Sequence, residues 1–342
     1  MILKQPKITV LMPVYNCELY IREAVDSILN QTFKDFEFLI IDDASSDETV
    51  MILKSYCDPR IQLIEKQINT GYTNSLNQGL KLAKGEFIAR MDGDDISLPE
   101  RFAKQVSLLD KNPEVIMCGT SYSIIGENEI FLLPESHQEI KVNLLKGNCI
   151  VHPSVMLRNN IIVANNISYD QQTEPAEDYD LWVRLLLLGK LHNLQECLLR
   201  YRVHDSQVSS VRNKQQVQVA KNVRLKLLCS LENSILQTHK NIYLKYIDDE
   251  EELTFEEFTG LIDLKIKLLN ANVNGFFCID GFNSYWVQME SNFINYYFKN
   301  RTSYSILILK QYVSIFSKLN SRLKPKEIIK LFVKTLLNHK VK

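Results

Sequence analysis

The sequence predicts an α/β fold: a largely parallel sheet flanked by helices, followed by a helical C-terminal region. Three observations lead there. Short apolar runs alternate with longer helical patterns four times in the first 110 residues, and residues 115–170 then lose that alternation while keeping strand-like stretches. From residue 213 to 342 there are only three glycines (260, 275, 281) and one proline (325), within long helical patterns.

The four βα units read as Ile8 to Met12 with Leu19 to Asn30, Phe36 to Ile41 with Asp47 to Ser55, Ile61 to Glu65 with Tyr72 to Lys84, and Phe87 to Met91 with Leu98 to Asp110. Runs that are apolar throughout, such as Phe38-Leu39-Ile40-Ile41, suit parallel strands covered on both faces. Residues 1–110 are therefore expected to form a nucleotide-binding half, and 111–210, with strands at Val115 to Ile125 and Cys149 to Leu157, an acceptor half completing a mixed sheet. Residues 211–342 are expected to form a helical domain with an acidic loop at Asp248, Asp249, Glu250, Glu251 and Glu252. Ser-x-x-Glu spacings at Ser45/Glu48, Ser97/Glu100 and Ser136/Glu139 predict helix-start capping boxes.

At 342 residues, with 45% hydrophobic and 24% charged residues, the chain is long enough for about two globular domains. The formal charge of −1 gives no support to a nucleic-acid or other polyanion binder. Seven scattered cysteines with no CxxC pair predict neither a disulfide framework nor a zinc site, and a reducing cytoplasm is expected. The N-terminus runs into a strand pattern without a small-residue cleavage site, so no signal peptide is expected. No apolar run reaches the roughly 18 residues of a spanning helix.

Ligands of open α/β sheets gather at the carboxyl ends of the strands. Those ends are polar here: Pro13-Val14-Tyr15-Asn16, Asp42-Asp43, Asn69-Thr70-Gly71 and Asp92-Gly93-Asp94-Asp95. No GxGxxG or Walker loop is present, so the phosphates of a nucleotide need another partner. Three carboxylates within four residues suit a hard divalent cation, Mg²⁺ or Mn²⁺, bridging diphosphate oxygens; an acidic turn is the plainer alternative. One of Asp42 and Asp43 could accept from a uracil imide N–H, or the pair could belong to a turn in which Asp47 and Ser45 cap the following helix. Glu174, Glu177, Asp178 and Asp180 precede an apolar helix, whose dipole would favour an ionised Asp178 able to take a proton. Among six histidines, His204, two residues after Arg202, could reach a diphosphate or complete a metal shell, and His152 could support the site.

In this order the residues strongly resemble glycosyltransferase family 2, inverting enzymes of the GT-A fold. The likeness runs through Ile8 to Asn16, Ser27 to Phe33, Phe38 to Asp47, Gly85 to Asp95, Leu98 to Phe102 and Glu177 to Trp182. The resemblance implies a Rossmann-like sheet for nucleotide-diphospho-sugars. It puts Pro13, Val14, Tyr15, Asp43, Asn69, Asp92 and Arg101 on the donor nucleotide, Asp94 and His204 at the metal, and Asp178 as general base. Glu177, His152, Asp95 and Arg202 would serve the acceptor or support the site. The implied reaction is inverting transfer from a nucleotide sugar, UDP foremost, to a glycan or lipid-linked hydroxyl in cell-surface polysaccharide synthesis. A sugar nucleotidyltransferase would need a Gly-rich basic loop after the first strand, and a non-catalytic scaffold has no need of Asp94 and Asp178. Donor sugar, linkage and oligomeric state carry no code in the sequence.

From Ser291 to Lys342 eleven Lys/Arg face one acid, Glu327. Pro325 to Lys340 reads as a basic amphipathic helix, suited to an anionic membrane surface, a solvated face or a subunit contact.

Overall fold

The structure is a computed structural model describing residues 5–205, 207, 211–247, 253–299 and 303–337. The expected acidic loop at 248–252 lies outside the described residues, as do Arg301, Lys340 and Lys342 of the basic stretch. The chain divides into two compact units, Met1–Val223 and Arg224–Lys342.

The first unit begins with β1 (Ile8–Val14), α1 (Ile21–Leu29), β2 (Phe36–Asp42), α2 (Thr49–Lys54), β3 (Ile61–Glu65), α3 (Tyr72–Leu82) and β4 (Phe87–Arg90). β1 pairs in parallel with β2 and β4, and β2 with β3. Every residue of β1 and β2 is buried, which is why neither shows the polar alternation of a half-exposed strand. α3 lies so close to β1 that a Cβ at Gly79 would fall 2.0 Å from a Leu11 methyl carbon.

β5 (Ile96–Ser97), α4 (Arg101–Lys111), β6 (Val115–Ile124), β7 (Ile130–Phe131), α5 (His137–Asn143), β8 (Met156–Arg158), α6 (Asn159–Ala164), α7 (Glu177–Leu185) and β9 (Lys190–Tyr201) follow. The strand order is β3-β2-β1-β4-β8-β6-β9-β5, with β7 on β6. β8 runs antiparallel to β4 and β6, whereas β6 and β9 are parallel, so the sheet is mixed as expected. β5 pairs antiparallel with the end of β9, Ile96 opposite Arg200, which draws residues 201–204 over the loop that follows β4.

One expected capping box of three forms. Ser136 and Glu139 cap α5 reciprocally. α2 and α4 start without a side-chain cap, because the serines are engaged across the fold: Ser45 Oγ accepts from Asn16 N–H, and Ser97 Oγ accepts from the Gln31 amide.

Helix α8 (Asn213–Cys229) precedes α9 (Asn233–Tyr246), α10 (Phe255–Ala271), α11 (Ile279–Ile294), α12 (Ile306–Ile315) and α13 (Pro325–Leu336), giving the expected helical C-terminal region. The second unit has its own apolar core, in which Phe258, Phe293, Tyr297, Tyr304 and Tyr312 meet Leu319 and Leu331. Within this unit Lys265 and Glu290 form a buried ion pair, and the other Glu290 oxygen accepts from Asn320 and Ser321 N–H at 2.9 and 3.0 Å. Those added donors answer the desolvation that makes bare buried pairs costly.

Candidate active site

The polar strand ends of the first unit open onto one cleft of about 890 Å³. Pro13, Val14, Tyr15, Asp43, Asn69, Asp92, Asp94, His152, Glu177, Asp178 and His204 line it. Asp95, Arg101 and Arg202 do not; they hold its walls from behind.

Asp43 follows β2 and organises the loop between β3 and α3. Its Oδ1 accepts from Thr70 N–H and Lys66 Nζ, each at 3.0 Å, and its Oδ2 from Gly71 N–H at 2.8 Å. Gly71 adopts φ +93°, a conformation that favours glycine. Burial works to raise the Asp43 carboxyl, yet the Thr70 N–H, the Lys66 ammonium and the Gly71 N–H together hold it below its ordinary value.

After β4 the chain turns through Asp92, Asp94 and Asp95, whose nearest carboxylate oxygens lie within 4.8 Å of one another. Arg90, buried at the end of β4, pairs with Asp92 at 2.6 Å. Burial pushes Asp92 up, against the pull of Arg90. Asp95 is driven further by burial and by Asp92 and Asp94. One Asp95 oxygen accepts from Arg202 N–H at 2.8 Å, and the other is buried without a hydrogen-bond partner among the described residues. Arg202 Nε donates to the Asp94 carbonyl at 2.7 Å, and its guanidinium meets Glu23 at 2.5 Å. His204 Nε2 stands 2.9 Å from Asp94 Oδ2. Crowded carboxylates, an orphaned buried oxygen and a neighbouring imidazole make an oxygen-rich donor set that fits a hard divalent cation.

Glu177 and Asp178 open α7. Asp178 Oδ2 accepts from the Asn148 amide at 2.8 Å and Oδ1 from Tyr179 N–H at 2.6 Å. Burial raises Asp178 to about 6, with these two donors opposing it. Burial and the neighbouring Asp178 charge raise Glu177 further, to about 8. Burial thus lifts both carboxyls above their ordinary values, Glu177 further than Asp178.

His152 is not free to ligate. Its Nδ1 meets Tyr72 Oη at 3.2 Å and its Nε2 meets Tyr169 Oη at 2.8 Å. Burial, with Arg90 nearby, keeps its ring neutral. Arg101, expected on the donor side, is wholly buried; it donates to the Arg90 and Pro153 carbonyls and ties β4 to the turn after Val151. Sequence reasoning passed over Arg90, Tyr72, Asn148 and Arg212, the last of which lines the cleft with its guanidinium 3.4 Å from Glu174. Arg90 did carry a signal, a cation inside an apolar strand, which is costly unless paired. Asn148 and Arg212 carried none.

The sequence profile described as glycosyl transferase family 2 matches residues 9–159. The O-antigen biosynthesis glycosyltransferase WbnJ of Escherichia coli is 36% identical over 207 residues, 58% of this chain and 80% of that protein. This chain belongs to glycosyltransferase family 2. A second relative of the glycosyltransferase, the E. coli UDP-Glc:alpha-D-GlcNAc-diphosphoundecaprenol beta-1,3-glucosyltransferase WfgD, is 32% identical over 59% of this chain and 79% of its own. Among solved structures, residues 1–349 of S. aureus TarS, in complex with UDP-GlcNAc, superpose with a TM-score of 0.56 at 19% identity, covering 84% of this chain and 91% of that one. The likeness to TarS is one of fold. The family profile ends before α7, so the gathering of Asp178 and His204 with Asp43, Asp92 and Asp94 comes from the tertiary structure of this glycosyltransferase. No helix among the described residues is long and apolar enough to cross a membrane.

Proposed function

We propose that the protein transfers a sugar, with inversion, from a UDP-sugar to a hydroxyl of a lipid-diphosphate-linked glycan during cell-surface polysaccharide synthesis, on the cytoplasmic side of a membrane. The observation that carries this is a single cleft lined by the uracil-side residues Pro13 to Tyr15 and Asp43, the acidic pair Asp92 and Asp94, and the raised carboxyl of Asp178. The diphosphoundecaprenol acceptor and UDP-glucose donor named for WfgD support the substrate class.

In this reading Asp43 and the Thr70-Gly71 loop receive the nucleoside, with Tyr15 and Asn69 beside it. Asp92, Asp94 and Asp95, with His204 adjacent, would hold Mn²⁺ or Mg²⁺, which when bound supplies positive charge to the departing diphosphate. Arg202 fixes the shape of that acidic turn from behind. Asp178 takes the proton of the acceptor hydroxyl as its oxygen attacks the anomeric carbon, and Asn148 orients the carboxylate. Glu177, whose carboxyl burial raises, lies beside Asp178 at the start of the same helix.

The test is a screen of UDP-, GDP- and dTDP-sugars for Mn²⁺-dependent thermal stabilisation, because a ligand that binds only the folded state raises the melting temperature. A UDP-sugar should shift it and the others should not. Stabilisation by none of them, with or without metal, would remove the donor assignment.

A further inference from the structure

Helix α13 (Pro325–Leu336) turns Leu331 and Thr335 inward and leaves an apolar stripe outside. Ile329 is 63% exposed, Phe332 and Val333 are each 47% exposed, and Leu336 is 63% exposed. The spacing i, i+3, i+4, i+7 aligns these four along one face. Leu337 continues the exposed apolar surface past the helix end at 72%. A helix that buries one side on its own domain ordinarily turns polar side chains to the other. This one presents apolar side chains on both.

The charges around the stripe have one sign. Arg322, Lys324, Lys326 and Lys330 are exposed before and along the helix. Lys334 lies 4.4 Å from the centre of the Tyr304 ring. Glu327 is the one acid of the helix, and Lys299 takes it at 2.7 Å. An exposed apolar strip rimmed by lysines matches a surface that is apolar below and anionic above, as a bilayer of acidic lipids is. A symmetric contact with a second copy would instead oppose the lysines of one helix to those of the other.

We propose that α13 docks the protein onto an anionic membrane surface, with Ile329, Phe332, Val333 and Leu336 entering the interface and Lys326 and Lys330 meeting lipid phosphates. This deepens the reading of a lipid-linked acceptor by naming the surface that brings the enzyme to it. The docking itself rests on α13 alone and is measured without a sugar donor.

The full chain is floated with vesicles of phosphatidylglycerol and phosphatidylcholine in equal parts, and with phosphatidylcholine alone. Binding is expected to the anionic vesicles only, and to weaken as salt rises. The I329Q/F332Q/L336Q variant and the K326E/K330E variant should each weaken it by on the order of tenfold or more. Both should keep the wild-type melting temperature and the wild-type shift with UDP-sugar and Mn²⁺, since these residues are exposed and outside the cleft. Failure to float at low salt, or equal binding to neutral vesicles, overturns the proposal. So does a concentration-dependent dimer in sedimentation that the apolar substitutions abolish, because the stripe would then belong to a second copy. A chain that floats but shows no stabilisation by any nucleotide sugar would instead sink the donor assignment and leave the docking intact.

Discussion

Two acidic groups face the same cleft, and their surroundings make them chemically different. The turn after β4 holds Asp92, Asp94 and Asp95 within 4.8 Å, with Arg90 as a buried counter-charge and one carboxylate oxygen left without a partner among the described residues. At the start of α7, Glu177 and Asp178 share the available charge: burial raises both, but Asp178 alone is given the Asn148 amide as a donor. The first arrangement is under-neutralised and suited to receive a cation. The second is poised to exchange a proton. In the proposed mechanism these carboxylates take separate roles from their surroundings, and substitutions should separate them.

The largest expected effect comes from exchanging the carboxylates. Asp94→Asn should lose both the Mn²⁺-dependent thermal shift with UDP-sugar and transfer. Asp178→Asn should keep the shift and lose about 10²–10⁴-fold in kcat, the usual worth of a positioned base. Steady-state kinetics beside a melting assay read the two, and an Asp178→Asn enzyme with near-normal turnover would erase the distinction. Next in size, Arg90→Leu leaves Asp92 without its counter-charge and should destabilise the protein by about 1–3 kcal/mol in urea unfolding.

A smaller effect is expected in the pH profile. The base works ionised, so kcat should rise with pH through the Asp178 carboxyl, near pH 6. Asn148→Ala removes a donor to the ionised form and should move that limb upward by about one unit, whereas an unmoved limb would dissociate it from Asp178. The mildest is Arg202→Ala, which frees the acidic turn from behind and should weaken Mn²⁺ binding about tenfold with little change in the nucleotide's own affinity, as titration calorimetry would measure.

The strands β1 to β4 were legible because residues buried on both faces leave uninterrupted apolar runs, such as Phe38 to Ile41. Asp43, Asp92 and Asp94 were legible because polar residues concentrate just past such runs, and Asp178 through its helix start and the family likeness. What could not be read is set by tertiary partners. Ser45 and Ser97 sit at capping spacing, but Asn16 and Gln31 claim their hydroxyls. Arg101 lies in a family motif and yet is spent on the Arg90 and Pro153 carbonyls. The raised carboxyl of Asp178 depends on burial beneath residues distant in sequence, which no local spacing encodes.

Arg202 grips the Asp94 carbonyl across a separation of 108 residues. During synthesis β1 to β4 are therefore made well before the residue that braces the acidic turn. A nascent chain stalled short of β9 would lack this brace, so the acidic turn of the proposed donor site is completed only after residue 202 is made.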